Sequence, residues 1–187
     1  FFALTLIVFF QSINLAEATP STYKKIKYGL SLVYTQFTST GWWTKIEPYN
    51  IYLGALPLKN KGHLDQILEL GVTRILSLVE DFELEDSWLN KPVKSQDWIE
   101  RSLEVKHIPA EDFLPVKAHE IAEGIEYLAQ MLDEGHTVYV HCKAGRGRSA
   151  TIVIAYLMQY QGISLEEAIA FVKEQRPQIN LNPSQRQ

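Results

Sequence analysis

The chain has 187 residues, 46% of them hydrophobic and 21% charged, with a formal net charge of −4. That length allows one globular domain with a substantial core plus some N-terminal extra, and the charge balance excludes a global basic field for nucleic acid. The single cysteine, Cys142, excludes an internal disulfide framework and a cysteine-rich zinc site.

Residues 1–18 form an apolar segment. Phe1 to Phe10 is almost wholly hydrophobic, and Ala16-Glu17-Ala18 fits the small-x-small pattern of a signal-peptidase site. A signal peptide or a membrane anchor is expected, although the run is short for a span. Residues 19–41 read as a basic amphipathic helix. After Thr19-Pro20-Ser21, the stretch Tyr23 to Thr38 places Ile26, Leu30, Val33 and Phe37 on one face, with Lys24, Lys25 and Lys27 at its start. Such a helix either packs on a domain or lies on an anionic membrane.

From Trp42 to Gln187 the pattern is α/β. Ile51–Gly54 and Arg74–Val79 read as strands, and Gly62 to Leu70 between them reads as a helix closed by Gly71. The acidic stretch Glu80 to Glu100, broken by Pro92, reads as a loop-rich insertion. Glu104–Ile108 is a third strand, Lys117–Asp133 a long helix ended by Gly135, and Thr137–Val140 a fourth strand. Ser149–Tyr160 is apolar nearly all round, the mark of a buried helix. Ser164-Leu165-Glu166-Glu167 is a capping box opening a helix to about Gln175, where Pro177 stops it. The expected fold is α/β: a mixed, largely parallel sheet of about four to five strands flanked by helices.

The chemistry lies between the fourth strand and the buried helix, in His141-Cys142-Lys143-Ala144-Gly145-Arg146-Gly147-Arg148-Ser149. A strand, a glycine-bearing loop and a helix N-terminus turn backbone amides and a helix dipole toward one small concavity. A thiol at its mouth is favoured as thiolate by amides, dipole and Arg148. Arg148 can return across the loop and grip two phosphate oxygens with its planar fork, which lysine cannot do. The candidate phosphate-binding positions are Lys143, Ala144, Gly145, Arg146, Gly147 and Arg148.

His-Cys-x5-Arg-Ser/Thr is the signature of the protein-tyrosine-phosphatase superfamily, and this loop resembles it at every defining position. The resemblance implies phosphoryl transfer in two steps without metal or other cofactor: Cys142 takes the phosphoryl group, and water then hydrolyses the thiophosphoryl intermediate. It implies that Ser149 hydrogen-bonds the sulfur and that His141 orients the loop. A general acid should face the cradle. Asp112, in Ile108-Pro109-Ala110-Glu111-Asp112-Phe113-Leu114-Pro115, occupies the place of the acid loop of compact dual-specificity phosphatases, with Glu111 the alternative.

A closer resemblance covers most of the chain. Trp42-Trp43, the segment Ile51 to Leu58, the acidic-aromatic run Glu80-Asp81-Phe82-Glu83 and the phosphate loop are similar to the mitochondrial-type phosphatidylglycerophosphate phosphatases, with Gly147 where a serine is expected. Relatives in that family also dephosphorylate phosphoinositides. Tensin-type phosphoinositide phosphatases carry a similar cationic loop, in which the extra cations meet additional phosphates. The resemblance implies an anionic phospholipid substrate at a membrane surface, read by Lys143 and Arg146, with Glu80 and Glu83 positioning the loop or Arg148. It allows an exported, membrane-associated or mitochondrial inner-membrane protein. Competing readings are a phosphoprotein or soluble inositol-phosphate phosphatase, a phosphate-binding module without turnover, and, more weakly, a rhodanese-type sulfurtransferase. A last helix is expected after Pro183. The sequence does not set the oligomeric state.

Overall fold

The computed structural model describes residues 23–25, 28–29, 31–32, 41–87 and 90–181. Two compact units divide the chain at residues 38 and 39. In the first, every described position is helical, within the stretch read as an amphipathic helix. The apolar segment 1–18 lies outside the described residues. Among those described, no helix is long and apolar enough to cross a membrane.

The second unit carries a five-stranded sheet in the order β1-β2-β5-β3-β4: β1 (Trp43–Lys45), β2 (Ile51–Gly54), β3 (Arg74–Ser77), β4 (Glu104–His107) and β5 (Val138–His141). Strands β2, β5, β3 and β4 are parallel, and β1 pairs antiparallel with β2 at the edge. Five helices flank the sheet: α1 (His63–Glu69), α2 (Ser95–Ile99), α3 (Ala118–Asp133), α4 (Arg148–Gln161) and α5 (Leu165–Gln175).

Alternation along the strands sorts the core into two layers. Leu53, Leu76, Val138 and Val140 face α3, α4 and α5, joining Leu128, Met131, Ile152, Val153 and Val172. Ile75 and Tyr139 face the other way, with Ile67 of α1 and Trp98 of α2. β5 is buried at every position, as expected of a central parallel strand covered on both faces. Ser164 caps α5 by accepting from the Glu167 amide, while the Glu167 carboxylate accepts from the Ser164 amide.

Three differences from the sequence reading have local causes. β3 ends at Ser77: the Leu78 amide still donates to His141 O of β5 at 2.9 Å, but the Leu78 carbonyl accepts from Arg148 Nη1 at 3.0 Å. The loop-rich insertion contains α2 and a 3-10 turn at Asp81–Leu84. Five residues are too few for a helical period, yet α2 buries Trp98. β1 is a three-residue edge strand, half-buried throughout, with no alternation to read.

Candidate active site

All four parallel strands end at one edge of the sheet, where the chain leaves β5 at His141 and enters α4 at Arg148. The loop between them is held by its carbonyls. Lys143 O accepts from the Leu56 amide at 3.1 Å and Arg146 O from the Asn180 amide at 3.0 Å. Gly145 O accepts from Arg176 Nε at 2.9 Å. In a trans peptide, the carbonyl and the next amide point in opposite directions. Three carbonyls fixed to the surrounding scaffold therefore turn the amides of Ala144, Arg146 and Gly147 into the concavity beside Cys142, an anion-binding nest.

Two glycines permit this closure. Gly145 has φ +64°, and a Cβ there would lie 2.4 Å from the carbonyl carbon and oxygen of Gly54. A Cβ on Gly54 would lie 2.1 Å from the Tyr139 hydroxyl, which donates to Ala55 O at 2.7 Å. The loop thus rests directly on the backbone at the end of β2.

Cys142 is 2% exposed, and Ser149 Oγ donates to its sulfur at 3.3 Å. Burial pushes the thiol up. The Arg148 charge and the hydrogen bonds from the Ser149 side chain and backbone outweigh it, against the opposing charge of Asp112, and hold the thiol below its ordinary value. His141 is buried, and burial lowers it to about 3, so it stays neutral near pH 7.

Arg148 is buried to the same degree as His141, and its fork is fully oriented. Its Nη1 and Nη2 donate to Glu83 Oε2 and Oε1 at 2.6 and 3.0 Å, and Nη1 also reaches Leu78 O and Ala110 O. Glu83 is completely buried. Burial disfavours the cation, but the Glu83 bond, the Cys142 thiolate and Asp112 raise Arg148 above its ordinary value, so it stays charged. Its Nε is buried without an acceptor among the described residues. An anion in the nest would complete it.

Asp112 reaches the same guanidinium, with Oδ1 3.1 Å from Nη2, and its other oxygen accepts from Lys143 Nζ. Glu80 approaches the backbone of this loop, its carboxylate accepting from the Asp112 amide at 3.4 Å. Glu80 and Glu83 also cap each other across the turn at Asp81–Leu84. The sequence reading expects both acids at the phosphate loop or Arg148. Glu83 sits on Arg148, and Glu80 on the loop that carries Asp112.

Lys143 departs from expectation. Rather than pointing outward to a head group, it is 3% exposed, ion-paired with Asp112, and 4.5 Å from the centroid of the Phe113 ring. A loop ammonium beside the half-buried Asp112 carboxylate is drawn inward, and sequence gives no direction for it. Arg146 is half-buried, and its carbonyl is the one held by Asn180.

Arg176 was not singled out as a site residue from sequence. It is fully buried at the end of α5 and binds Gly145 O, Thr44 Oγ1 at 3.0 Å and Trp42 O at 3.5 Å. Burial pulls it down to about 10, partly offset by Tyr139 and the Cys142 thiolate. Among the described residues no cluster of three or more His, Cys, Asp or Glu side chains is placed to hold a metal. A separate cavity of about 730 Å³, lined by Tyr49, Tyr156, Tyr160, Glu126 and Asp133, opens at the other end of the strands and contains none of these residues.

Residues 52–187 match the dual specificity phosphatase catalytic domain. The chain is 35% identical over 146 residues to mouse phosphatidylglycerophosphatase and protein-tyrosine phosphatase 1, covering 77% of this chain and 72% of that protein. It is 32% identical over 146 residues to the Arabidopsis thaliana phosphatidylglycerophosphate phosphatase PTPMT2, covering 78% of this chain. It spans 60% of the length of that relative and 40% of Arabidopsis PTPMT1. The crystal structure of PTPMT1 in complex with PI(5)P superposes with a TM-score of 0.67 at 32% identity, covering 78% of this chain and 90% of that one. The active form of Tk-PTP superposes at 0.66 and 29% identity, over 78% and 92% of the two chains. The five-stranded mixed sheet is thus the cysteine-phosphatase fold expected from the loop. With the match running from the first parallel strand through the loop of Asp112 to the nest at Cys142, the chain belongs to the dual specificity phosphatase family.

Proposed function

We propose that the protein is a cysteine-dependent phosphatase that hydrolyses a phosphomonoester of an anionic phospholipid at a membrane surface. The carrying observation is the buried Arg148 fork, fixed by Glu83 with its Nε meeting no acceptor among the described residues, beside a thiol held low by that charge and by Ser149. Such a pair suits a tetrahedral dianion that docks on nest amides and guanidinium together.

In the first step the Cys142 thiolate forms an S–P bond as the P–O bond to the leaving alcohol breaks. Asp112, in its protonated form, gives its proton to the leaving oxygen. In the second step water attacks phosphorus, the Asp112 carboxylate takes the water proton, and the S–P bond breaks. The Ser149 hydroxyl, 3.3 Å from the sulfur, stabilises the departing thiolate. Lys143 steers Asp112 through their ion pair, in place of the head-group reading expected of it. Ala144, Gly145, Arg146 and Gly147 supply the nest, and neutral His141 anchors it.

The lipid substrate is supported by the relatives named for phosphatidylglycerophosphate and by the structural neighbour crystallised with PI(5)P. A phosphoprotein substrate is the second reading, favoured by 33% identity over 164 residues to rat dual specificity protein phosphatase 4. Phosphate release from vesicle-borne phosphatidylglycerophosphate, individual phosphoinositides, soluble inositol phosphates and phosphopeptides decides between them. Preference for a lipid by at least tenfold in kcat/KM is the expected result. Equal or faster turnover of phosphopeptides would refute the lipid assignment.

A further inference from the structure

The acid loop does two things at once. Asp112 faces inward, on Arg148 and Lys143, while the next three residues, Phe113, Leu114 and Pro115, are all exposed. Phe113 and Leu114 are 50% and 49% exposed, and among the described residues they are the only adjacent pair of exposed large hydrophobic side chains. The reversal occurs at Phe113, whose φ is +66°, a left-handed backbone that a bulky residue adopts at a cost. Val116 then returns to the core, and Lys117 follows with its side chain 65% exposed and its Nζ 3.6 Å from Glu120 Oε1, a loose pair that leaves most of the ammonium group in solvent. The Phe113 ring covers Lys143 on one side and faces solvent on the other, so a half-exposed apolar tip stands on a strained turn next to Lys117 and directly after the acid loop's reactive carboxylate.

Resting on the lipid-phosphatase reading above, we infer that Phe113, Leu114 and Pro115 form a wedge that enters the head-group boundary of an anionic lipid bilayer, with Lys117 meeting lipid phosphates beside it. A lipid phosphomonoester lies at the plane of the head groups, and the nest at Cys142 is a recessed site. To bring the two together the protein must seat its rim in that plane, and an apolar side chain at the rim gains by entering while a flanking lysine remains with the phosphates.

The test uses the full chain with Leu114→Ser and Leu114→Trp. On phosphatidylcholine vesicles carrying phosphatidylglycerophosphate, Leu114→Ser should lose about tenfold in kcat/KM, the effect expected for one half-exposed leucine that becomes buried. The loss should lie in KM for bulk lipid, with kcat kept at saturation. On a monomeric short-chain phosphatidylglycerophosphate the variant should match wild type. The fluorescence that Leu114→Trp adds over wild type should shift to shorter wavelength with phosphatidylcholine–phosphatidylglycerol vesicles and be quenched by brominated acyl chains. Equal loss on both substrates, absence of acyl-chain quenching, or a loss confined to phosphopeptides would each overturn the inference. If wild type hydrolyses neither lipid form, the lipid-phosphatase reading fails, and quenching by the same vesicles still decides whether the wedge inserts.

Discussion

Arg176→Met removes the guanidinium beneath the phosphate loop and keeps most of its apolar stem. Two acceptors lose their donor, Gly145 O at 2.9 Å and Thr44 Oγ1 at 3.0 Å, while Trp42 O, 3.5 Å from the guanidinium, keeps the Ala55 amide at 2.9 Å. Each buried acceptor left without a partner costs about 1–3 kcal/mol. Relief of the burial cost on the cation, visible in its lowering to about 10, offsets part of that. A net loss of about 2–4 kcal/mol in stability is expected by urea unfolding. The larger consequence is catalytic. Freed from Arg176, the Gly145–Arg146 peptide can rotate and withdraw the Arg146 amide from the nest. One lost preorganised donor costs about 100-fold in rate or more, so kcat/KM on a small aryl phosphate should fall about that far at a temperature where the variant remains folded. Rate and stability must be measured on the same preparation. If the variant is folded and its kcat/KM lies within threefold of wild type, the nest does not depend on Arg176 and the peptide-orientation argument is wrong.

Glu83→Gln removes the fully buried, bidentate counter-charge of Arg148, leaving Asp112 at 3.1 Å and the Cys142 thiolate, and should cost about 3 kcal/mol, with Arg148→Met in the same background recovering part of the loss. Additive effects in that double-mutant cycle would show that the fork is not a coupled unit. Iodoacetamide labelling of Cys142 against pH should give a midpoint below that of an ordinary thiol, moving upward in Arg148→Met and in Ser149→Ala; an unmoved midpoint would contradict the stated causes. His141 and His63 are lowered by burial to about 3 and about 4. The unfolded chain therefore binds their protons first, and stability should be full above about pH 6.5 and decline as pH falls toward 4. His141→Asn should flatten that decline; an unchanged slope between pH 6.5 and 4 would show that His141 is not buried neutral.

The phosphate loop was legible because its parts are contiguous: a β-forming run, two glycines, a fixed Cys-to-Arg spacing and an apolar helix all lie between residues 137 and 160. The expectation for Asp112 rests on its place in the chain order and the resemblance of that place to the acid loop of compact dual-specificity phosphatases, and that for Glu83 on resemblance alone, since neither spacing nor period links either residue to Arg148. Arg176 stayed hidden because its partner, Gly145, is brought to it only by the packing of α5 beside the sheet, and because a buried arginine runs against composition priors. Its one sequence signal was an arginine directly before the proline that ends α5. β1 and α2 escaped because three and five residues cannot display a period, and their stability comes from pairing with β2 and from burial of Trp98. The inward turn of Lys143 depends on Asp112 arriving from another loop, so it is a tertiary property with no local trace.

Central to the account is a phosphoryl group carried on the Cys142 sulfur. Rapid acid quench of Asp112→Asn during turnover of an activated aryl phosphate, which needs no proton from the acid, followed by peptide mass spectrometry, tests it directly. With hydrolysis of the intermediate slowed by loss of the Asp112 carboxylate, the account predicts phosphate on the peptide containing Cys142 and no turnover by Cys142→Ser. Phosphate release by Cys142→Ser at the wild-type rate, or turnover without any phosphorylated Cys142 peptide, would contradict it.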